Sequence, residues 1–418
     1  MHTGWNRKPV KGYFRMTILC LASYEKGHAF LRQCHQQGAR VLLITSLGLK
    51  DTAKWPMESI ADIFYMPDTN DAWDRSTLIN SVSHLARTES LDRIVALDDF
   101  DVELAASLRE HLRVPGMGET TVRYFRDKLA MRVRAAAAGI RVPAFVHALN
   151  RDRVKEYMDR VPPPWVLKPR SMAGAIGIRK IASEDEFQAA VDQLGDMQSH
   201  YLLEQFIPGD IFHVDSIVYN REIRFAIASG YGRPPMEVAH DGGIFTSRIL
   251  DRDSAMAKNL LGMNADVMRA FRMVNGVSHT EFILGASDTG TETEFYFLET
   301  SARVGGAHVA DLVEAATGLN LWTEWAKVEL AGGHSPYDVS PLRQDYAGLL
   351  VSLAKQEHPD TSTYNDPELV WRIDKPHHVG FIVRSPELER VKQLIDCYTH
   401  RVQEDFWAFV PAKEKPGH

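Results

Sequence analysis

The stretch SHTEFILGASDTGTETEFYFLETSARVGG, residues 278–306, decides how this chain is read. Two apolar runs flank a loop of Gly, Ser, Thr and Asp, which is the pattern of a β-hairpin. Glu281 lies in the first run and Glu299 in the second. An unpaired carboxylate buried in such a strand costs several kcal/mol. A hard cation such as Mg²⁺, shared with phosphates of a substrate, removes that cost. Strand side chains alternate with period 2, so Ser301 and Arg303 are expected on the same face as Glu299. Alone the pair is a weak signal, because a Glu–Arg ion pair gives the same letters.

Upstream residues add to it. Lys168 ends the apolar run in WVLKPRSMAGAIGIRKI, residues 165–181. A lysine placed there lays its stem along a sheet and presents its ammonium to an anion. The loop after it is built from small residues, with Ala173, Gly174, Ala175, Ile176 and Gly177 in sequence. Small residues let backbone N–H groups approach phosphate oxygens. A Gly/Ala turn with no ligand reads identically. Lys128, in FRDKLAMR, stands forty residues before Lys168, and Arg170 is a further cation near the same mouth.

Composition bounds the rest. The 418 residues are 44% hydrophobic and 25% charged, enough for two or three soluble domains. A formal net charge of −7 argues against nucleic-acid binding, which needs a basic footprint. Three cysteines without metal spacing fit a reducing cytoplasm. No apolar run approaches the ~20 residues needed to span a bilayer, so no membrane partner is expected.

Along the chain, residues 1–15 read as an N-terminal extension. Residues 16–115 alternate strands and helices, as in a parallel doubly wound sheet. The loop after MTILCLA lacks a G-x-G-x-x-G, so a dinucleotide fingerprint is absent. Asp98, Asp99 and Asp101 follow the strand RIVAL. They read first as a solvated helix start favoured by the macrodipole, and second as ligand residues at a strand's carboxyl end. One helix is expected over ETTVRYFRDKLAMRVRAAAAG. Ser183 and Glu186 form a capping box. HYLLEQFIPGDIFHVDSIVYNREIRFAIASGYG gives consecutive strands, in which His213 and Asp215 share a face and read as a structural hydrogen-bonded pair, or as residues that support the site from behind, rather than as catalysts. GYGRPPMEVAHDGGIFTSRIL, residues 230–250, reads as a long loop. Residues 336–418 read as a small C-terminal α/β lobe.

Taken in order, these pieces resemble the ATP-grasp superfamily over residues 116–335, with the Rossmann-like domain that usually precedes it. The resemblance is to the carboxylate–amine ligases, with the L-amino-acid ligases and biotin carboxylase as relatives. It implies an α/β fold, α+β in the ATP-grasp part, with a lid subdomain over about 143–205. It implies ATP and Mg²⁺ (or Mn²⁺), and small-molecule carboxylate and amine substrates. Lys128 and Lys168 would hold phosphates, and Ala173, Gly174, Ile176 and Gly177 would form the phosphate loop. Glu204, Gln205, Phe206 and Ile207 of LLEQFIPG would bind adenine. Asp210 would take the ribose contact, since Ile211 replaces the usual Glu. Glu281, Glu299 and Ser301 would hold metal, with Ser301 in place of the usual Asn. Arg303 would steady the acyl phosphate and the oxyanion, with Lys168 beside it in catalysis. Arg233, His240, Arg248, Gly305 and Gly306 are the expected substrate contacts. The implied reaction makes an amide through an acyl phosphate. Two alternatives stay open: a bicarbonate-using enzyme, and a non-catalytic nucleotide sensor fed by Ala175, Ile211 and Ser301. Whether the C-terminal lobe closes the site or makes a homodimer also stays open.

Overall fold

The computed structural model describes residues 16–68, 72–172, 174, 176–286 and 292–410. The expected N-terminal extension, Ala173 and Ala175 lie outside these residues, as does the side chain of His240.

The first sheet holds β1 (Thr17–Ala22), β2 (Arg40–Ser46), β3 (Asp62–Met66) and β4 (Arg93–Ala96). All pairs are parallel, in the order β3-β2-β1-β4. The near-continuous apolar strands explain this, because a parallel sheet is buried on both faces. The order reverses between β1 and β4, and ligands of open α/β sheets collect at such a point. Phe30 of the helix His28–Gln36 meets Trp325 of the helix Leu321–Ala331 with ring centroids 5.1 Å apart. That contact lies in a core shared by this sheet and the largest one.

The second sheet is small and antiparallel: β5 (Phe145–His147), β6 (Trp165–Pro169), β7 (Arg179–Ile181) and β8 (Tyr201–Gln205), in the order β5-β8-β6-β7. Helices Arg151–Arg160 and Glu184–Leu194 contribute to its core. Ser183 caps the second of these helices as expected, but the return bond from Glu186 goes to the residue before the cap. Its Oγ accepts the Glu186 N–H at 3.2 Å, and Glu186 accepts the Ala182 N–H at 2.7 Å.

The third sheet has eight strands: β9 (Gly209–Tyr219), β10 (Glu222–Tyr231), β11 (Phe245–Ile249), β12 (Gly276–Ala286), β13 (Thr293–Ser301), β14 (Tyr346–Leu353), β15 (Leu369–Arg372) and β16 (His378–Ser385). Their order is β13-β12-β9-β10-β11-β14-β16-β15. The hairpin of the opening stretch is β12–β13, with Glu281 directly opposite Glu299.

Three expectations change. The loop at 230–250 contains a short helix, Pro235–Asp241, and the strand β11. Its alternation is hidden by flanking Gly and Pro and by only five strand residues. β11 pairs with β14, so the C-terminal strands extend the central sheet instead of forming a sheet of their own. The boundary read near 335 falls in the chain but not in the sheet. The helix read over 119–139 is broken before Lys128, where Asp127 accepts the N–H groups of Leu129 and Ala130 and starts a new helix, Lys128–Ala137.

The aspartates after β4 are not solvated. Asp98, Asp99 and Asp101 are all buried. Lys26 pairs with Asp98, Arg303 covers Asp99, and the Ser23 N–H donates to Asp101 at 2.8 Å. Burial and the nearby Asp98 push the Asp101 carboxyl from 3.8 up to about 7. The unfolded chain therefore ionises first, and stability falls as pH rises from about 4 to about 7, by on the order of 4 kcal/mol. Asp101→Asn keeps an acceptor for Ser23 but cannot ionise. Its melting temperature is expected to gain on the wild type between about pH 4 and about pH 8. A gap that stays constant across that range would refute the assignment.

Candidate functional site

Between the second and third sheets lies a cavity of ≈ 460 Å³. Its apolar part is formed by Val166, Ile178, Phe206, Ile207, Ile283 and Leu298. Lys180 of β7 stands 3.9 Å from the Phe206 ring centroid. The backbone of Gln205 to Ile207 passes from β8 into this slot, as the sequence suggests. Gly209 begins β9 so close to β12 that a Cβ there would lie 2.0 Å from the Leu284 carbonyl oxygen. Only glycine allows that approach.

Lys168 on β6 is 9% exposed and pairs with Glu204 of β8. Arg132 pairs with the same carboxylate at 2.9 Å. Burial would push the Glu204 carboxyl up, but Arg132 and Lys168 hold it below its ordinary value. Burial and the neighbouring Arg132 lower the Lys168 ammonium, against the pull of Glu204. Both Glu204 oxygens are engaged by these cations, which makes the carboxylate their counter-ion within the cavity wall.

Lys128 Nζ lies 2.8 Å from Glu299 Oε2 and donates to the Met172 carbonyl at 2.6 Å. Glu281 accepts from the Tyr231 hydroxyl at 2.8 Å. Burial raises the Glu281 carboxyl, but hydrogen bonding and charge from His279 hold it below its usual range. The two glutamates face each other across the hairpin and both line the cavity, together with Ser301. Each of the two already needs a positive or donating partner. That donor set suits a hard divalent cation.

Arg303 follows the end of β13. Its Nε and a terminal nitrogen contact Asp99 Oδ2 at 2.9 and 2.8 Å, and Ser301 Oγ donates to the same oxygen at 3.1 Å. Asp99 Oδ1 is buried with no hydrogen-bond partner among the described residues. Burial would raise Asp99, but Arg303 and Arg126 hold it down. Asp99 lines the cavity and is buried, so the solvated helix start read first does not hold for it. Its signal lies in the three aspartates at the carboxyl end of a parallel strand.

The other expected residues divide. Gly174 and Gly306 line the cavity, whereas Ile176 and Gly177 do not. Asp210 is exposed and points away, because strand alternation brings Ile211 to the cavity instead. Arg248 falls on the face of β11 opposite Phe245 and Ser247, away from the cavity that Phe245 lines. Arg233 is nearly half exposed and donates to the Gly242 carbonyl at 3.2 Å, outside the lining. Glu237, in the helix Pro235–Asp241 that follows, does line it. Gly305 packs against His279 and Asp215 rather than the cavity. His279 and Tyr231, both in the wall, are not singled out by any sequence pattern.

No family model matches the chain. The fold is shared with solved ATP-grasp ligases. Among solved structures, an L-amino acid ligase from Bacillus licheniformis superposes with a TM-score of 0.70 at 16% identity, over 95% of this chain and 99% of that one. N5-carboxyaminoimidazole ribonucleotide synthetase from Thermus thermophilus gives 0.68 at 17% identity, over 95% and 100%. Among curated proteins, an L-arginine-specific L-amino acid ligase from Bacillus subtilis is 24% identical over 269 residues. That match covers 63% of this chain, and the chain spans 63% of the relative's length.

Proposed function

We propose that the protein is an ATP-dependent carboxylate–amine ligase that joins two small molecules through an amide or peptide bond. The observation that carries this is the convergence of Lys128, Lys168, Glu281, Glu299 and Arg303 on one cavity. A nucleotide sensor needs an adenine slot and phosphate cations. It has no need of a buried Arg303 held by Asp99 beyond the phosphate end.

In the first step a substrate carboxylate oxygen attacks the γ-phosphorus of ATP. The bond to the bridging oxygen breaks, ADP leaves, and an acyl phosphate forms. Lys128 and Lys168 bind the phosphates and balance their charge. Glu281 and Glu299, with Ser301 beside them, would hold Mg²⁺ or Mn²⁺, which supplies charge neutralisation on the phosphates. In the second step an amine attacks the acyl carbon, the carbon–oxygen bond to phosphate breaks, and inorganic phosphate departs with the amide formed. Arg303 presents its fork of donors to the developing oxyanion. Asp99 Oδ1, which has no hydrogen-bond partner among the described residues, is an acceptor suited to an ammonium group of a substrate. Pro234, Pro235, Met236 and Phe245 line the same cavity and suit an apolar side chain. Closure of the small sheet over the site would exclude water, which would otherwise hydrolyse the acyl phosphate.

We place this activity on free small molecules in a reducing cytoplasm. Cys20, Cys34 and Cys397 are free thiols, and no helix among the described residues is long and apolar enough to cross a membrane.

The test is phosphate release from ATP and Mg²⁺ with pools of amino acids and small carboxylic acids, beside Glu299→Ala. Release that depends on the pool and disappears in the variant is expected. Tight ATP binding with no release from any pool, bicarbonate included, would overturn the ligase reading in favour of a sensor. Release driven by bicarbonate alone would move it to the carboxylase type.

A further inference from the structure

Behind Glu281 lies a chain of buried polar side chains that crosses four strands of the third sheet. Ser247 of β11 stands 2.8 Å from His213 Nε2. His213 Nδ1 stands 2.7 Å from Asp215 Oδ2, and His279 Nδ1 stands 2.9 Å from Asp215 Oδ1. His279 Nε2 then reaches the Tyr231 hydroxyl at 3.2 Å and Glu281 Oε1 at 3.6 Å. The Tyr231 hydroxyl donates to Glu281 Oε1 at 2.8 Å. Strand pairing sets this order, with His279 opposite Asp215 and Glu281 opposite His213.

Each link fixes the next. Asp215 is fully buried and uses both oxygens on the two imidazoles. Its position is therefore set from both sides, and it fixes the plane of the His279 ring. The Tyr231 hydroxyl engages Glu281 Oε1, with the His279 ring within ion-pair distance of the same oxygen. Oε2 is left as the Glu281 oxygen without a partner among the described residues. The backbone is also adapted: a Cβ at Gly305 would lie 2.8 Å from His279 Nδ1 and 3.0 Å from Asp215 Oδ1. A buried Asp flanked by two histidines costs more than packed apolar residues would. What it supplies that apolar packing does not is a fixed direction for the His279 ring and, through Tyr231, for Glu281.

We propose that Asp215, His279 and Tyr231 are positioning residues that hold the Glu281 carboxylate with one oxygen engaged and the other presented to the divalent cation. This rests on the metal role given to Glu281 in the ligase reading. Ligand-orienting hydrogen bonds of this kind are worth about 10- to 100-fold in metal affinity. The N···O spacings inside the cluster are those of direct hydrogen bonds, so the relay reading needs no ion between the histidines.

The test measures Mn²⁺ binding to the protein–ADP complex by electron paramagnetic resonance, beside ADP binding without metal and melting temperature. Tyr231→Phe removes only the donor, and Asp215→Asn releases His279. Both are expected to weaken Mn²⁺ by about 10- to 100-fold, while metal-free ADP binding stays as in the wild type. Glu281→Gln should weaken it further. If Glu281→Gln weakens Mn²⁺ but Tyr231→Phe and a folded Asp215→Asn do not, the relay is overturned and the ligase reading stands. If Glu281→Gln has no effect, the metal assignment fails and the relay with it. If a tight site survives Glu281→Gln but is lost in Asp215→Asn, the His–Asp–His cluster is itself the metal site. Should Asp215→Asn not fold, Tyr231→Phe alone decides.

Discussion

Replacing Arg303 with lysine is expected to lower turnover about 10²- to 10³-fold while leaving ADP affinity and melting temperature close to wild type. The asymmetry follows from what the guanidinium touches. Two of its nitrogens hold Asp99 Oδ2 and a third donates to the Val304 carbonyl at 2.8 Å. Asp99 needs a positive charge beside it because it is buried, and burial is the largest influence on its carboxyl. Lysine supplies the charge, so the fold keeps its pair. It does not supply a planar fork, so an oxyanion that forms only in the transition state loses its donors. Initial rates of phosphate release and a melting curve on the same preparation check both halves. A variant that turns over normally would remove Arg303 from the chemistry. Arg303→Met would not serve, since it strands Asp99 and confuses stability with catalysis.

Glu204→Gln is expected to be the most destabilising single exchange in the site, by about 3–5 kcal/mol. Glu204 is 2% exposed and lies between fully buried Arg132 and nearly buried Lys168. Two cations share one carboxylate, so removing the carboxylate leaves two positive charges facing each other in a dry setting. Arg132→Met removes one cation and leaves a balanced Lys168–Glu204 pair, so its cost should be smaller. The double variant should be more stable than Glu204→Gln alone. Urea denaturation of the four proteins gives the coupling directly. Additive effects would show that the three side chains do not act as one charged unit.

Much of the site is legible in the sequence because it is written in strand-local patterns. Lys168 ends an apolar run, Glu281 and Glu299 interrupt two more, and Gly174 belongs to a small-residue loop. Each needs only its neighbours to be noticed. The partners of these residues are less visible. Arg303 meets Asp99 across 204 positions of sequence, and His279 meets Asp215 across 64. Such pairs depend on the register between strands, which no local pattern states. Asp98, Asp99 and Asp101 read as a solvated helix start because the helix follows them at once. The segment carrying Arg303, which covers Asp99, comes from another sheet. Asp210 and Arg248 fail for a simpler reason: period 2 assigns faces only once the strand's limits are known, and β11 is hidden inside an apparent loop.

The eight-stranded sheet has one consequence for how such a chain can be recombined. β11 comes from the middle of the sequence and β14 from beyond residue 335, yet they are hydrogen-bonded neighbours from Phe245 to Arg248. A cut placed at the apparent linker would strip β11 of one of its two partners, leaving β10 alone beside it, and would open a strand edge near Tyr231 and Ser247. The C-terminal segment is therefore an inseparable flank of the central sheet, and any recombined chain has to carry it along. The short helix Pro235–Asp241, by contrast, lines the cavity through Pro235, Met236 and Glu237 without pairing into the sheet, so its residues can change while the sheet stays whole.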